Sequence, residues 1–215
     1  MKKIFFYVLL LSGLFPTQSV VADTISWTGW TSAVIGIAGS ATGTIQTDRG
    51  KNVVVSYKGD VAFAQLGSGI NYWTEGVPKP YTGNSTIENA PSAANMIALS
   101  HPGITNTITF SRPVRNPIMA IVSLGAPWQS ISYNFNSQFK ILGKGQGYWG
   151  DGTYSILGNT LTGTELHGVI QFQGLISSII WTVSYNEWWH GFTIGLPSNQ
   201  TTLAPSLMLL LRPKK

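Results

Sequence analysis

The chain has 215 residues, with 13 Lys+Arg against 8 Asp+Glu, a formal net charge of +5 and no cysteine. The excess is terminal, because Lys2, Lys3, Arg212, Lys214 and Lys215 lie at the ends, leaving 8 basic and 8 acidic residues between Asp23 and Leu211. Nucleic-acid binding that ignores sequence needs several cations along one surface, so no nucleic-acid partner is expected. Lack of cysteine excludes a disulfide framework, Cys-ligated zinc and thiol catalysis.

In chain order, Met1-Lys2-Lys3 precedes the apolar run Ile4–Leu11, and Val20-Val21-Ala22 follows a short polar stretch. A positive start, an apolar core and small residues at Val20 and Ala22 predict a signal peptide over residues 1–22, cleaved after Ala22. The run breaks at Ser12-Gly13 and is too short to span a bilayer, which takes about 20 residues. An exported chain beginning at Asp23 is expected, with no transmembrane span.

Beyond Asp23, period-2 alternation of β-branched and aromatic residues predicts strands punctuated by Gly, Asn, Asp and Pro. They are expected near Thr24–Trp30, Ala41–Thr47, Asn52–Lys58, Val61–Gln65, Met96–Ser100, Thr105–Phe110, Ile118–Ser123 and Ser130–Phe135. More follow near Phe139–Leu142, Thr153–Leu157, Thr160–Thr162, Gly168–Gln173, Ser178–Tyr185 and Gly191–Leu196. Asp48–Lys51 and Gly158-Asn159 read as tight turns. Arg112-Pro113 and Asn116-Pro117 are expected to bracket a reversal, and Asn186–Trp189 to link the last long pair. Gly143–Gly147 has neither G-K-[ST] nor a following helix, and reads as a flexible turn. No helical stripe appears. The longest irregular stretch, Gly67–Asn95, has the length of a functional or mobile loop. Many short strands at regular turn intervals predict an all-β fold. It is expected to be an antiparallel two-sheet sandwich, jelly-roll-like, as one domain over residues 23–202.

Residues 203–215 form a short tail in the order proline, apolar run, basic cluster. Leu207–Leu211 would extend about 7.5 Å as helix, too little to cross a membrane, so a terminal extension or last strand is expected.

A set of phrases carries a family resemblance: Ile108-Thr-Phe-Ser-Arg-Pro-Val114, Ile121-Val-Ser-Leu-Gly125, Gly147-Tyr-Trp-Gly-Asp-Gly152, Gly158-Asn-Thr-Leu-Thr-Gly163, Gly168-Val-Ile-Gln-Phe172 and Trp189-His-Gly-Phe-Thr-Ile-Gly195. Their order over Ile25–Leu196 resembles the secreted β-sandwich domains of PEP-CTERM-type proteins of Gram-negative bacteria. The resemblance implies a place at the cell surface or in the exopolysaccharide matrix more firmly than an activity. The tail departs from the family, having no Pro-Glu-Pro and no full apolar span, so release into the medium fits better than anchoring.

Catalytic signals are sparse. His101, His167 and His190 lack the i, i+4 spacing of a helical zinc pair, and His190 reads as a structural hydrogen-bonding residue. Ser68 lacks a nucleophile-elbow frame. A glycosidase needs two carboxyl groups facing each other across the bond. Asp48 and Asp60 read as turn residues and Asp23 is terminal; Asp151 and Glu187 are the pair to test, since each lies beside tryptophan. No enzyme is expected. No cofactor is expected either, since calcium needs six to eight oxygen ligands and Asp151-Gly152 alone does not supply them.

Binding signals are richer, with eight tryptophans in the chain. Trp27, Phe110, Phe172 and Trp181 fall in strand patterns and read as core. Trp73, Trp149, Trp188 and Trp189 fall in expected loops beside Asn71 and Glu75, Asp151, and Asn186-Glu187. A flat aromatic offers a platform for the C–H face of a sugar, and Asp, Asn or Glu take its hydroxyls. The site expected from sequence is therefore Trp73, Trp149, Asp151, Asn186, Glu187, Trp188 and Trp189, and the expected partner is extracellular polysaccharide or a surface component. A structural or adhesive protein with protein partners is the competing class. An outer-membrane barrel is a third, disfavoured by strands shorter than the roughly ten residues a barrel requires.

Overall fold

The structure is a computed structural model and describes residues 22–47, 50–84, 86–93 and 95–198. The expected signal segment up to Val21, the turn residues Asp48 and Arg49, and the tail 203–215 lie outside the described residues.

Fifteen strands run in order among the described residues. They are β1 (Ile25–Trp27), β2 (Gly29–Val34), β3 (Gly36–Ile45), β4 (Val53–Val61), β5 (Phe63–Leu66), β6 (Asn95–Leu99), β7 (Asn106–Arg115) and β8 (Ile118–Leu124), followed by β9 (Ile131–Phe135), β10 (Phe139–Lys144), β11 (Thr153–Leu157), β12 (Thr160–Thr164), β13 (Leu166–Phe172), β14 (Leu175–Val183) and β15 (His190–Pro197). One sheet has the order β10-β13-β8-β15-β6-β5, with β1 also on β15; the other runs β11-β12-β9-β14-β7-β4-β3-β2. All strand pairs are antiparallel. From β6 onward the chain changes sheet at each step, counting the β11–β12 hairpin as one. This sets β6-β15-β8-β13 against β7-β14-β9-β12, the double Greek-key ordering of a jelly roll. The expected all-β, two-sheet architecture is the one observed.

Alternation explains the second sheet. In β4, Val53, Val55 and Tyr57 are buried while Val54, Ser56 and Lys58 are exposed; β9 and β14 likewise turn Ile131, Tyr133, Phe135 and Ile179, Trp181, Val183 inward. Between the sheets Trp181 stacks on Tyr57 at 5.9 Å and meets Phe192 of β15 edge-on at 5.2 Å. Each such buried ring removes about 150–250 Å² from water and, with its edge-to-face contacts, dominates the core.

The central strands of the first sheet are buried on both faces. Ile97, Leu99, Met119 and Ile121 face the inter-sheet core, while Met96, Ala98, Ile118, Ala120 and Val122 belong to a second core with Trp73, Tyr81 and Ile87. The long connection after β5 supplies those last three residues and covers the sheet's outer face. Its folding is directed by acceptors within it: Glu75 takes the N–H groups of Tyr81 and Thr82 at 2.8 and 2.7 Å, and Asn71 takes that of Trp73 at 3.0 Å.

Four local expectations are corrected. The stretch read as one strand, Thr24–Trp30, serves both sheets, because β1 joins β15 and β2 joins β3, with buried Thr28 between them donating twice to the Ile194 carbonyl. The reversal expected between Arg112-Pro113 and Asn116-Pro117 falls at Asn116-Pro117, between β7 and β8, and Arg112-Pro113 lies inside β7. The β14 register jumps from Val114 opposite Ile176 to Thr109 opposite Ser178, and this bulge accommodates a residue with no N–H to donate. Asp60 is no turn residue either. It is buried in β4 and its carboxylate accepts from the N–H groups of Ser100 and His101 at 2.6 and 2.7 Å. Finally, Gly143–Gly147 is not a free turn. Gln146 pairs through its backbone with Pro78 and Gly76, and a Cβ on Gly145 would collide with the Pro78 carbonyl.

Candidate functional site

At one end of the sandwich the β8–β9, β10–β11, β12–β13 and β14–β15 connections enclose an open groove of about 400 Å³. Trp128, Trp149, Trp188 and Trp189 line it together with Ser123, Ala126, Gln129, Glu165 and Glu187.

Two of these connections use the same device. Ala126 and Gln129 exchange backbone hydrogen bonds at 2.9 Å in both directions; Gly147 and Gly150 do so at 2.8 and 3.4 Å. Each closes a four-residue turn with tryptophan at its third position, Trp128 in one and Trp149 in the other. The β14–β15 loop, which carries Trp188, is fastened to the first turn: Gln129 Nε2 donates to the Asn186 carbonyl at 2.8 Å, and Gly125 N–H donates to Glu187 Oε2 at 3.0 Å. Holding loops in one geometry before binding reduces the entropy lost when a ligand arrives.

The tryptophans divide by environment. Trp128 and Trp188 are 86% and 96% exposed, and neither stacks on another ring among the described residues. Trp149 and Trp189 interlock instead, 4.9 Å apart and edge-on. Tyr72 lies nearly parallel to Trp149 at 5.3 Å, and Phe63 meets Trp189 at 5.0 Å. The first pair offers free faces, and the second builds the wall behind them.

The polar side of the groove is acidic. Glu165 Oε1 accepts from Ser123 Oγ at 2.6 Å, and buried His167 places Nε2 3.3 Å from the same oxygen without hydrogen-bond alignment. Glu187 Oε2 lies 2.9 Å from Nδ1 of buried His190, which fits the structural role expected for that histidine. Burial raises the Tyr133 hydroxyl well above its ordinary pKa, with the Glu187 charge adding to the effect. Burial does the same to Tyr81, assisted by Glu75.

Of the residues expected from sequence, Trp149, Glu187, Trp188 and Trp189 come together in the groove. Asn186 contributes its carbonyl to the loop clamp rather than its side chain. Trp73 is not there: it is 2% exposed and packs edge-on to Tyr81 at 5.3 Å, a core residue of the covering loop. Asp151 does not line the groove either, and its Oδ1 accepts from Lys144 Nζ at 2.9 Å. The Asp151–Glu187 pair therefore does not share this site. Among the described residues no group of three or more His, Asp or Glu gathers as a metal-ligand set, and no helix is long and apolar enough to cross a membrane.

Sequence reading missed Trp128, Glu165, Ser123 and Gln129. Trp128 had a signal, since Gly125-Ala-Pro-Trp lies between two strong strand patterns and reads as a turn. Glu165 and Ser123 had none, because Ser123 lies near the end of β8 and Glu165 is the single residue between β12 and β13, and strand pairing alone brings them together. No family model, curated protein or solved structure matches this chain.

Proposed function

We propose that this protein is an exported, non-enzymatic β-sandwich of the bacterial cell surface or extracellular matrix that contacts polysaccharide through its tryptophan-lined groove. The observation that carries the reading is the juxtaposition of two unstacked, exposed indoles, Trp128 and Trp188, with the carboxylates of Glu165 and Glu187 in one groove. Flat apolar faces beside hydrogen-bond acceptors match the two surfaces of a sugar ring. The signal-like residues 1–22 and the resemblance to PEP-CTERM-type domains support the location. Titration of the mature domain with oligosaccharides, following tryptophan fluorescence, tests the proposal. Saturable binding that is lost in Trp188→Ala supports it, and silence across a broad glycan panel opposes it. Capture of surface proteins with no glycan binding would favour the structural or adhesive class instead.

A hydrolase reading has one observation in its favour: two carboxylates, Glu165 and Glu187, line the same groove. Release of reducing ends from a bound glycan, abolished in Glu187→Gln, would decide for it.

A further inference from the structure

We infer that the groove selects glycans bearing free amino groups over N-acetylated or acidic ones. This inference rests on the polysaccharide reading above and deepens it. Among the described residues the groove is lined by two carboxylates and by no lysine or arginine. The nearby Lys144 is engaged by Asp151 and by the Gly152 carbonyl at 2.9 and 3.1 Å.

Both carboxylates retain capacity for a ligand. Ser123 holds Oε1 of Glu165, and Gly125 with His190 holds Oε2 of Glu187. Among the described residues nothing donates to the other oxygen of either. An ionised carboxylate only accepts, so the complementary ligand group is a donor, and a charged donor makes the stronger bond. An ammonium has three N–H donors and is also attracted to the face of an indole, which Trp128 and Trp188 leave uncovered. A uronate would bring like charge against Glu165 and Glu187, with no lysine or arginine among the described lining residues to receive it. An N-acetylated sugar offers one neutral N–H in place of the ammonium.

The test compares glucosamine hexamer, N-acetylglucosamine hexamer and a galacturonate oligomer by calorimetry at low salt. Glucosamine hexamer is expected to bind about tenfold tighter than the acetylated chain, with no binding of the galacturonate. The preference should shrink in high salt. Glu165→Gln should reduce it to about threefold or less. Glu88→Gln makes the same charge change far from the groove, where Glu88 accepts from Thr24 Oγ1 at 2.5 Å, and should leave the preference intact. Melting curves show that each variant is folded, and Trp188→Ala serves as a second probe that leaves the acidic residues in place. Equal binding of all three glycans, preference for the galacturonate, or a preference that Glu88→Gln removes as fully as Glu165→Gln would overturn the selectivity while leaving polysaccharide binding standing. No binding of any glycan would overturn both.

Discussion

Ser123 Oγ donates to Glu165 Oε1 at 2.6 Å, and both residues hold left-handed backbone, with φ of 55° and 57°. Asn116 is the other non-glycine residue so placed among those described, and it occupies the β7–β8 turn. An L-residue in this region costs about 1–2 kcal/mol. The two lie where β8 and β13 shift register between Leu166 and Gly168, so the strain is held by the strand pairing that sets Glu165 into the groove. Strain of this kind concentrates at binding and catalytic sites.

Substitution at Ser123 separates the hydrogen bond from the backbone. Ser123→Ala removes the bond and keeps the strain. Ser123→Gly removes the bond but relieves the strain, because glycine adopts positive φ without steric cost. The glycine variant should therefore be more stable than the alanine variant by about 1 kcal/mol, read from denaturant midpoints. Both should weaken glycan binding, since neither fixes the Glu165 carboxylate. If alanine is the more stable of the two, the left-handed conformation at Ser123 is not being held against a cost.

The four groove tryptophans should divide in stability as they divide in packing. Trp128→Ala and Trp188→Ala remove side chains that are 86% and 96% exposed and should change stability by less than about 0.5 kcal/mol. Their effect should fall on ligand binding. Trp189→Ala opens the ring cluster with Phe63, Tyr72 and Trp149 and should cost about 2–4 kcal/mol. Chemical denaturation of these three variants beside one binding titration checks both halves.

The sequence made the sheets readable wherever one face of a strand meets solvent, as in β4 with Val53, Val55 and Tyr57 inside. Strand β8, buried at all positions, was legible as an apolar run but not for its reason, which is a distant loop closing its outer face. That loop also explains Trp73. Tryptophan beside polar residues in an irregular stretch reads the same whether it plugs a second core or awaits a ligand, and only tertiary burial separates the two. The groove was half legible. Trp149, Trp188 and Trp189 announce themselves by residue type and loop context. Glu165 sits 42 positions from Ser123 and reaches it through β13–β8 pairing, which no local pattern encodes.

Glu187 should matter to folding as well as to binding. Its side chain is nearly buried, and Oε2 takes both Gly125 N–H and His190 Nδ1. Glu187→Ala leaves these groups without their acceptor and should cost about 2–4 kcal/mol. Glu187→Gln retains one carbonyl oxygen and should fall between alanine and the parent. Thermal unfolding ranks the three, and equal melting of Glu187→Ala and the parent would contradict the clamp.

Two buried tyrosines predict opposite outcomes for one chemical change. The Tyr57 hydroxyl donates to Asn106 Oδ1 at 2.6 Å, whereas the Tyr133 hydroxyl is buried with no hydrogen-bond partner among the described residues. Tyr57→Phe should cost about 1–2 kcal/mol by leaving a buried acceptor short of its donor. Tyr133→Phe removes an unsatisfied hydroxyl and should be neutral or stabilising. The pH dependence follows from the raised values of Tyr57, Tyr81 and Tyr133 in the fold, each shifted first by burial and each 10.0 when unperturbed. Above pH 10 the unfolded chain loses these protons while the folded one keeps them, so stability is whole below that pH and falls as pH rises toward the folded values. Each tyrosine contributes up to about 1.4 kcal/mol per pH unit there. Tyr133→Phe should therefore unfold at higher pH than the parent and with a shallower slope, measured as urea midpoints between pH 9 and 12. An unchanged slope would mean that Tyr133 ionises as readily in the folded protein as in the unfolded chain.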